Sequence, residues 1–344
     1  MKDPGSRQED LAVRVAKLYY YQRFTTERIA EELRTSRSTV SRLLSWAHEH
    51  GLVEIHVHDP AEQPGQIEAM LRERHGVRSV RVVPVPETAR EADWLERVAA
   101  DAAGYLNSVI GNDCVVGIAW GTTVRKLSER LKPKPTKNVD FVALNGAGTA
   151  QSIDSAFGTD LVLRFAANYG ARAHAFPVPA FFDHPQTKTA LWRERSVRRL
   201  LELQQRADVL VFSVGAFSGE VPSQVHAGGF LEASDRRDLR REGVVGDIAT
   251  VFFRADGSWR DVALNARASG PDLDLFRKRQ SICIASGTGK VEGIRAALAG
   301  GFVHTLIVDE PTARRVLGEA NASASAKPQR HASPASTTRA ERAK

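Results

Sequence analysis

Length, composition and charge exclude several classes of protein. The chain has 344 residues, of which 42% are hydrophobic and 26% charged, and this composition fits a soluble protein of two modules. Its apolar runs are far shorter than the roughly 20 residues of a membrane-spanning helix, and its polar first residues do not resemble a secretory signal. We therefore expect a cytoplasmic protein with no membrane partner. Cys114 and Cys283 lie in apolar runs, which predicts reduced core thiols, and we expect neither a metal nor a cofactor.

The net charge of +7 is unevenly distributed along the sequence. Residues 1–60 carry nine Lys or Arg and nine Asp or Glu, so the N-terminal segment is neutral as a whole. Much of the excess lies near the C-terminus, where five Lys or Arg accompany a single acidic residue in a sequence rich in Ala and Ser. This composition cannot bury a core, so residues 320–344 are predicted to be a disordered basic tail.

A change in composition at Asp59-Pro-Ala-Glu-Gln-Pro-Gly65 predicts a domain of residues 1–58, a linker of residues 59–66 and a larger domain of residues 67–319. Upstream of the linker, Leu52-Val-Glu-Ile-His-Val57 alternates like a strand. It follows three segments whose apolar residues recur at helical spacing, namely Leu11, Val15, Leu18 and Tyr19, then Ile29, Ala30 and Leu33, then Val40, Leu43, Leu44 and Ala47. Three helices and a strand predict an N-terminal all-α winged helix-turn-helix domain, an arrangement used mainly for DNA binding.

The third helical segment has the pattern of a DNA-recognition helix. Thr25 and Ser36 can cap the second and third helices, and Arg34-Thr35 forms the turn between them. Small hydroxyl residues on the outer face allow close approach to a duplex, and arginines supply bidentate donors for guanine edges or phosphates. The predicted contacts to double-stranded DNA are Ser36, Arg37, Ser38, Thr39, Ser41, Arg42 and Ser45. The alternative is an ordinary amphipathic helix with a solvated polar face.

Downstream of the linker, apolar strands alternate with helical segments, which predicts an α/β domain with a largely parallel sheet. The predicted strands are 80–83, 114–119, 140–144, 172–176, 209–214, 281–285 and 305–308. The clearer predicted helices are 94–107, 122–131, 160–169, 189–206, 290–299 and 311–317. In such a sheet ligands bind beyond the carboxyl ends of the strands, so we expect the site in the loops that follow the strands.

The motifs taken together resemble the SorC family of sugar-binding transcriptional regulators (SorC/DeoR type). They are Ser38-Thr-Val-Ser-Arg-Leu-Leu44, Val245-Gly-Asp-Ile248 and Ser286-Gly-Thr-Gly-Lys290 with Ile294-Arg-Ala-Ala-Leu298 after it. The resemblance implies an effector domain similar in fold to sugar-phosphate isomerases and deaminases, a phosphorylated sugar as effector, and a homodimer or homotetramer. The chain departs from the family where Arg34 and Thr35 replace the usual glycine and apolar residue of the turn, and where Ser286-Gly287 replaces a Gly-Gly pair.

Two strand-to-helix turns are candidates for binding the phosphate of such an effector. Glycine turns at Gly121-Thr-Thr123 and Gly287-Thr-Gly-Lys290 each precede a helix, which directs free amides and a positive helix terminus at an anion. Asn145 and Asp247 can bind sugar hydroxyls. The predicted effector site therefore consists of Gly121, Thr122, Thr123, Asn145, Gly146, Asp247, Gly287 and Lys290.

Other interpretations of these residues remain open. The glycines can simply allow tight turns between strands and helices. Asp247 can cap a helix or a turn, and Arg267 of the segment Leu264-Asn-Ala-Arg267 can link two loops. Ile284 and Val291 stand where a P-loop needs a glycine and a hydroxyl, which excludes ATP or GTP binding. The rival function is a sugar-phosphate isomerase or deaminase, but Asn145-Gly-Ala-Gly148 offers no base or Schiff-base lysine, which leaves Asp247 and His226 as conceivable bases.

Overall fold

A computed structural model describes residues 4–50, 52–53, 64–86, 88–149, 156–221 and 223–318. The chain divides into two compact units, Met1–Glu62 and Gln63–Lys344. The predicted basic tail of residues 320–344 and most of the predicted linker lie outside the described residues.

The described part of the N-terminal unit consists of helices that share one core. Helix α1 (Pro4–Ala16) continues into a single π-helical stretch, Lys17–Tyr21, and is followed by α2 (Thr26–Glu32) and α3 (Arg37–Glu49). The predicted caps are present, because Thr25 Oγ1 accepts from the Arg28 amide and Ser36 Oγ from the Thr39 amide. The buried core comprises Ala12, Val15, Leu18, Ile29, Ala30, Val40, Leu43 and Ala47.

Two details of this unit differ from the sequence prediction. Leu11 and Tyr19 are exposed, whereas Ala12 and Ala16 are buried in their place, because the small residues of α1 face the core. Of the predicted wing strand, only Leu52 and Val53 are described, and neither is in a strand. The remainder of the wing lies outside the described residues.

The C-terminal unit alternates strands and helices. The strands are β1 (Ser79–Val83), β2 (Val115–Ile118), β3 (Asp140–Ala143), β4 (Arg172–His174), β5 (Val209–Phe212), β6 (Val244–Ile248), β7 (Val251–Arg254), β8 (Gln280–Ala285) and β9 (Thr305–Asp309). The helices are α4 (Pro64–His75), α5 (Glu91–Val109), α6 (Thr122–Glu129), α7 (Ala156–Tyr169), α8 (Pro185–Leu191), α9 (Arg195–Gln205), α10 (Gln224–Ala227), α11 (Ala233–Arg241), α12 (Asp274–Lys278), α13 (Val291–Ala299) and α14 (Glu310–Leu317).

Seven strands of the described chain form one sheet in the order β1-β9-β8-β5-β2-β3-β4, with every pair parallel. The predicted parallel sheet is therefore confirmed, and each predicted strand belongs to it. The central strands are buried on both faces by two apolar clusters, which explains their continuous apolar sequences. All seven carboxyl ends lie at one edge of the sheet, where a ligand site is expected.

The structure departs from the sequence predictions at three further places. Pro64 begins α4, so the predicted linker ends earlier than residue 66; its fixed φ suits the first turn of a helix. The predicted helix 189–206 is two helices, α8 and α9, and the break lets Trp192 pack edge-on against Phe176 and Phe182. Strands β6 and β7 form an antiparallel hairpin in a segment where no strand was predicted.

Among the described residues, no helix is long and apolar enough to cross a membrane. No group of three or more His, Cys, Asp or Glu in that part of the chain is arranged to hold a metal ion. Cys114 and Cys283 are free thiols, and burial raises their pKa values to about 11 and about 12. Neither thiol therefore ionises readily at neutral pH.

Candidate functional site

A cavity lies at the carboxyl ends of the central strands. Its lining comes from the segments after β2, β3 and β5, from the β6–β7 hairpin, from residues near α10, and from Lys290 after β8. Six of the eight predicted effector residues line it, namely Gly121, Thr122, Thr123, Asn145, Asp247 and Lys290. The free space amounts to about 30 Å³, so a sugar-sized ligand requires the lining to move apart.

The lining of the cavity includes a buried cation. Lys290 Nζ donates to Thr123 Oγ1 at 2.8 Å and to Ser213 Oγ at 2.9 Å. Burial lowers the pKa of Lys290 to about 8, while the carboxyl of Asp247 is among the charges that oppose this shift. Helix α6 begins beside the cavity at Thr122 and has no side-chain cap, so its first amides are free to bind an anion.

The predicted second anion-binding turn is built differently. Gly287 has a φ of +102°, and its amide donates to Asp309 Oδ2 and Thr312 Oγ1, each at 3.1 Å. The amide of Thr288 donates to Glu91 Oε1 at 2.8 Å. These amides are therefore occupied within the fold, Gly287 does not line the cavity, and the turn serves to present Lys290.

The cavity is also lined by buried polar groups that have no hydrogen-bond partner among the described residues. Asn145, 2% exposed, makes no hydrogen bond to any described residue through either Nδ2 or Oδ1. The neighbouring Gly146 does not line the cavity, because its amide donates to Ser269 Oγ and its carbonyl accepts from Trp120 Nε1. Gly146 is fixed by packing, since a Cβ there would lie 2.2 Å from the Val178 carbonyl oxygen. Asn145 alone of this pair is thus placed to contact a ligand.

Asp247 lines the same cavity from strand β6 of the β6–β7 hairpin. Its Oδ2 accepts from the Thr250 amide at 3.3 Å, whereas Oδ1 is buried and has no hydrogen-bond partner in the described part of the chain. Burial raises the pKa of this carboxyl to about 7. One oxygen of Asp247 therefore caps the turn, and the other stays a predicted ligand contact.

The hairpin turn that holds Asp247 is strained. Ala249 and Thr250 have φ values of +48° and +68°, a conformation that favours Gly or Asn and is rare for a β-branched residue. Both residues line the cavity. Backbone strain of this kind is found mainly at functional sites, where the surrounding structure holds it in place.

His226 lies close to Asp247, with its Nε2 3.9 Å from Oδ1. Neither ring nitrogen has a hydrogen-bond partner within the described ranges, and the ring packs against Phe217 at a centroid distance of 4.3 Å. Burial, followed by the charges of Arg236 and Arg240, lowers its pKa to about 4. The imidazole is therefore neutral at physiological pH.

Several residues that line the cavity were not predicted from the sequence. Ser213 and Gly215 directly follow β5, so the rule that sites lie after strands was a sufficient signal for them. Thr250, Ser223 and Gln224 gave no such signal.

Two residues of the segment 264–267 form contacts within the fold. Asn265 forms hydrogen bonds with both backbone groups of Phe252, and Arg267 forms an ion pair with Asp235 at 2.6 Å.

In the N-terminal unit, the residues predicted to contact DNA lie on α3 and at its cap. Ser38, Ser41, Arg42 and Ser45 are exposed and share one face by their spacing. Arg37 is also exposed and forms an ion pair with Glu27 at 3.0 Å. The hydroxyl of Ser36, already the helix cap, also lies 2.8 Å from the hydroxyls of Ser38 and Thr39.

The parallel sheet and the polar cavity at its carboxyl edge define the C-terminal unit as an α/β ligand-binding domain. Residues 59–318 match the family described as "Putative sugar-binding domain". The chain is 32% identical over 314 residues to the deoxyribonucleoside regulator of Bacillus subtilis, which covers 90% of this chain and 98% of that protein.

Two solved structures show the same fold. A domain of "a possible sugar-binding transcriptional regulator" from Arthrobacter aurescens TC1 is 44% identical, with a TM-score of 0.71, and the match covers 76% of this chain and all of that one. The full-length sorbitol operon regulator SorC from Klebsiella pneumoniae is 26% identical, with a TM-score of 0.74 over 90% of this chain and 98% of that one. The chain therefore belongs to the SorC family of sugar-binding transcriptional regulators.

Proposed function

We propose that this protein binds operator DNA and that a phosphorylated sugar in the cavity changes its operator affinity, thereby controlling genes of carbohydrate metabolism. The observation that carries the proposal is the cavity itself, which combines a buried Lys290 ammonium with the unpaired polar groups of Asn145 and Asp247. Buried polar groups are normally satisfied, so their lack of partners favours a polar ligand at this position.

The DNA-binding part of the proposal rests on helices α2 and α3. Their short connection and capped ends suit a helix-turn-helix whose second helix enters the major groove. Ser38, Ser41, Arg42 and Ser45 would then face the duplex, and Arg37 would exchange Glu27 for a phosphate or a base. We further propose that the protein acts as a symmetric homodimer or homotetramer on a palindromic operator.

Regulation requires that the effector prefer one of two forms of the protein. A sugar that bound the DNA-competent and incompetent forms equally would leave operator affinity unchanged. The tight cavity supports such a preference, because the lining must open to admit a sugar. The β6–β7 hairpin and the residues near α10 are the parts of the described lining that do not follow a strand of the main sheet.

Fluorescence anisotropy tests both parts of the proposal. DNA from upstream of the protein's own gene is titrated with the full chain at fixed salt, then with sugars and sugar phosphates. We expect tight, competitor-resistant binding that one phosphorylated sugar alters. Arg42→Ala should weaken DNA binding at least about tenfold, whereas Arg14→Ala, which removes an exposed arginine of α1, should not. Absence of specific binding with every DNA fragment and effector would overturn the proposal.

We also propose that the protein is not an enzyme. Asn145 follows β3 where a base would be needed and cannot abstract a proton. Asp247 and His226 remain as groups able to exchange protons near the cavity. Incubation of the protein with every sugar phosphate that changes DNA binding, followed by product analysis, should show no turnover above that of a Lys290→Met variant.

A further inference from the structure

We propose that a row of arginines on helix α9 of the C-terminal unit binds phosphates of the operator duplex and forms a second, sequence-independent DNA contact. This row, the α9 stripe, consists of Arg195, Arg198, Arg199 and Arg206. The inference rests on the proposed function, because it assigns a further surface of the protein to the same DNA.

The α9 stripe lies on one side of its helix. At 3.6 residues per turn, its four positions fall within an arc of about 100°, and all four residues are exposed. The opposite side is anchored in the fold, because Val197 and Gln204 are buried and Gln204 Nε2 donates to the Ala143 carbonyl oxygen at 2.7 Å. The helix therefore presents the stripe to solvent in a fixed orientation.

The charges of the α9 stripe are not neutralised by neighbouring side chains. Residues 193–206 contain five arginines against two acidic residues, Glu194 and Glu202. None of these arginines forms an ion pair with another residue in the ranges that the structure describes. Arginines elsewhere in the unit do form such pairs, as Arg130 does with Glu96 at 2.7 Å. The stripe is therefore available to an external anion.

The positive surface is long and continues past the end of α9. Arg279 Nη2 donates to the Gln205 carbonyl oxygen at 2.7 Å, which places this guanidinium at the C-terminus of the helix, next to Arg206 in the chain. Positions 195 and 206 are about 16 Å apart along the helix, a distance over which one DNA strand carries roughly five phosphates. An extended polyanion matches this row better than a single small anion does.

Duplex DNA is the polyanion that the proposed function brings to this protein. Residues 1–60 carry nine basic and nine acidic residues, and Arg37 on the DNA-recognition helix is paired with Glu27. A neutral helix-turn-helix supplies few unopposed cations, whereas protein–DNA affinity depends largely on neutralised phosphates. The α9 stripe supplies such cations. The segment 320–344 carries an excess of the same charge, so it is not the occupant of the stripe.

The salt dependence of operator binding tests the proposal. Anisotropy titrations of the full chain between about 50 and 200 mM KCl compare the wild type with the triple variant Arg195→Gln, Arg198→Gln, Arg199→Gln. Each neutralised phosphate contributes about 0.9 to the slope of log K against log salt, so the slope should fall by about two to three per protomer. Binding should weaken at least about tenfold, while the ratio of operator to unrelated-DNA affinity stays within about twofold, because phosphate contacts carry no sequence information.

Three further variants control for net charge and folding. Arg72→Gln, Arg97→Gln and Arg164→Gln together remove three exposed arginines on α4, α5 and α7, and should change the slope by less than about 0.5. Lysine in place of the three stripe arginines should restore the wild-type slope, because the slope counts charges. Glu202→Gln removes the exposed carboxylate on the same side of α9 and should strengthen binding about two- to threefold.

The outcomes separate this inference from the proposed function. A triple variant that keeps the wild-type slope, or loses no more slope than the scattered control, overturns the inference and leaves regulated DNA binding intact; the stripe would then suit an acidic partner protein. Failure of lysine to restore the slope, or a tenfold loss of operator selectivity in the triple variant, also overturns it. Absence of specific operator binding by the wild type overturns both.

Discussion

Gly215 leaves the space that the carboxyl group of Asp247 occupies. A Cβ atom on Gly215 would lie 1.8 Å from Asp247 Oδ1, and the Gly215 amide donates to the Asp247 carbonyl oxygen at 2.9 Å. Gly215 does not have a positive φ, so its backbone conformation would accept an alanine. The glycine is therefore required by the position of one side chain.

Gly215→Ala should weaken effector binding as much as Asp247→Ala does, because the added methyl group displaces the carboxyl. The two changes should not be additive, since Asp247→Ala removes the group with which the methyl collides. Calorimetry with the best-binding sugar phosphate on the wild type, both single variants and the double variant measures the coupling. A double variant whose loss equals the sum of the two single losses would contradict this assignment.

Asp247 should make the folded state less stable as the pH rises. Its pKa is about 7 in the folded chain and near its usual lower value when unfolded, so the folded state holds the extra proton between about pH 4 and 7. Stability is therefore lost as pH rises through that window, by up to about 4 kcal/mol. Relative to wild type, Asp247→Asn should gain stability between pH 5 and pH 8 in chemical denaturation. Asp238→Asn, which neutralises an exposed carboxylate on α11, should show no such gain, and parallel pH dependence in all three proteins would refute the prediction.

Arg34 occupies a left-handed position in the turn between α2 and α3, with a φ of +50°. Arg34→Gly should stabilise the N-terminal unit by about 0.5–1 kcal/mol. The free energy gained when the Cβ clash is removed exceeds the free-energy cost of glycine's larger conformational entropy in the unfolded chain. Hydrogen exchange of the α2 and α3 amides reports this change. Arg34→Ala keeps the Cβ atom and should give no gain, so equal protection in the two variants would count against strain as the cause.

Asn265 should matter for stability and not for ligand choice. Its side chain accepts from the Phe252 amide and donates to the carbonyl oxygens of Phe252 and Trp259, all within 2.8 Å. Asn265→Ala should cost about 2–4 kcal/mol of unfolding free energy, and Asn265→Asp more, because a carboxylate would face two carbonyl oxygens. Denaturation and ligand titration together check this, and a changed order of preference among sugar phosphates would contradict it.

The strands and helices were predictable where a single physical signal dominated. Strands buried on both faces are continuous apolar runs, and all seven were found in the sequence. The β6–β7 hairpin was missed because Gly246 and Asp247 interrupt its first strand and its turn, Ala249-Thr250, lacks the usual Asn or Gly. Local sequence carries no sign that neighbouring structure will enforce such a turn.

Part of the candidate site was predictable because its residues come directly after strands. Lys290, Thr123 and Asn145 follow strands, and strand ends share one edge of the sheet. Gly287 was assigned to the ligand because a glycine before a helix offers a free amide, but Asp309 and Thr312, more than twenty residues later, accept that amide. The use of a backbone donor depends on distant residues, which the local motif cannot reveal.

The sheet order also determines when this domain can fold during synthesis. Strand β1 is an edge strand that pairs only with β9 within the described sheet, and more than 200 residues of chain separate the two. At a translation rate of about 5–20 residues per second, roughly 10 to 40 s pass between the synthesis of β1 and the synthesis of β9. During that time its apolar residues and unpaired amides are exposed to other nascent chains. A transcript truncated before β9 would therefore yield an aggregating product that lacks a complete sheet.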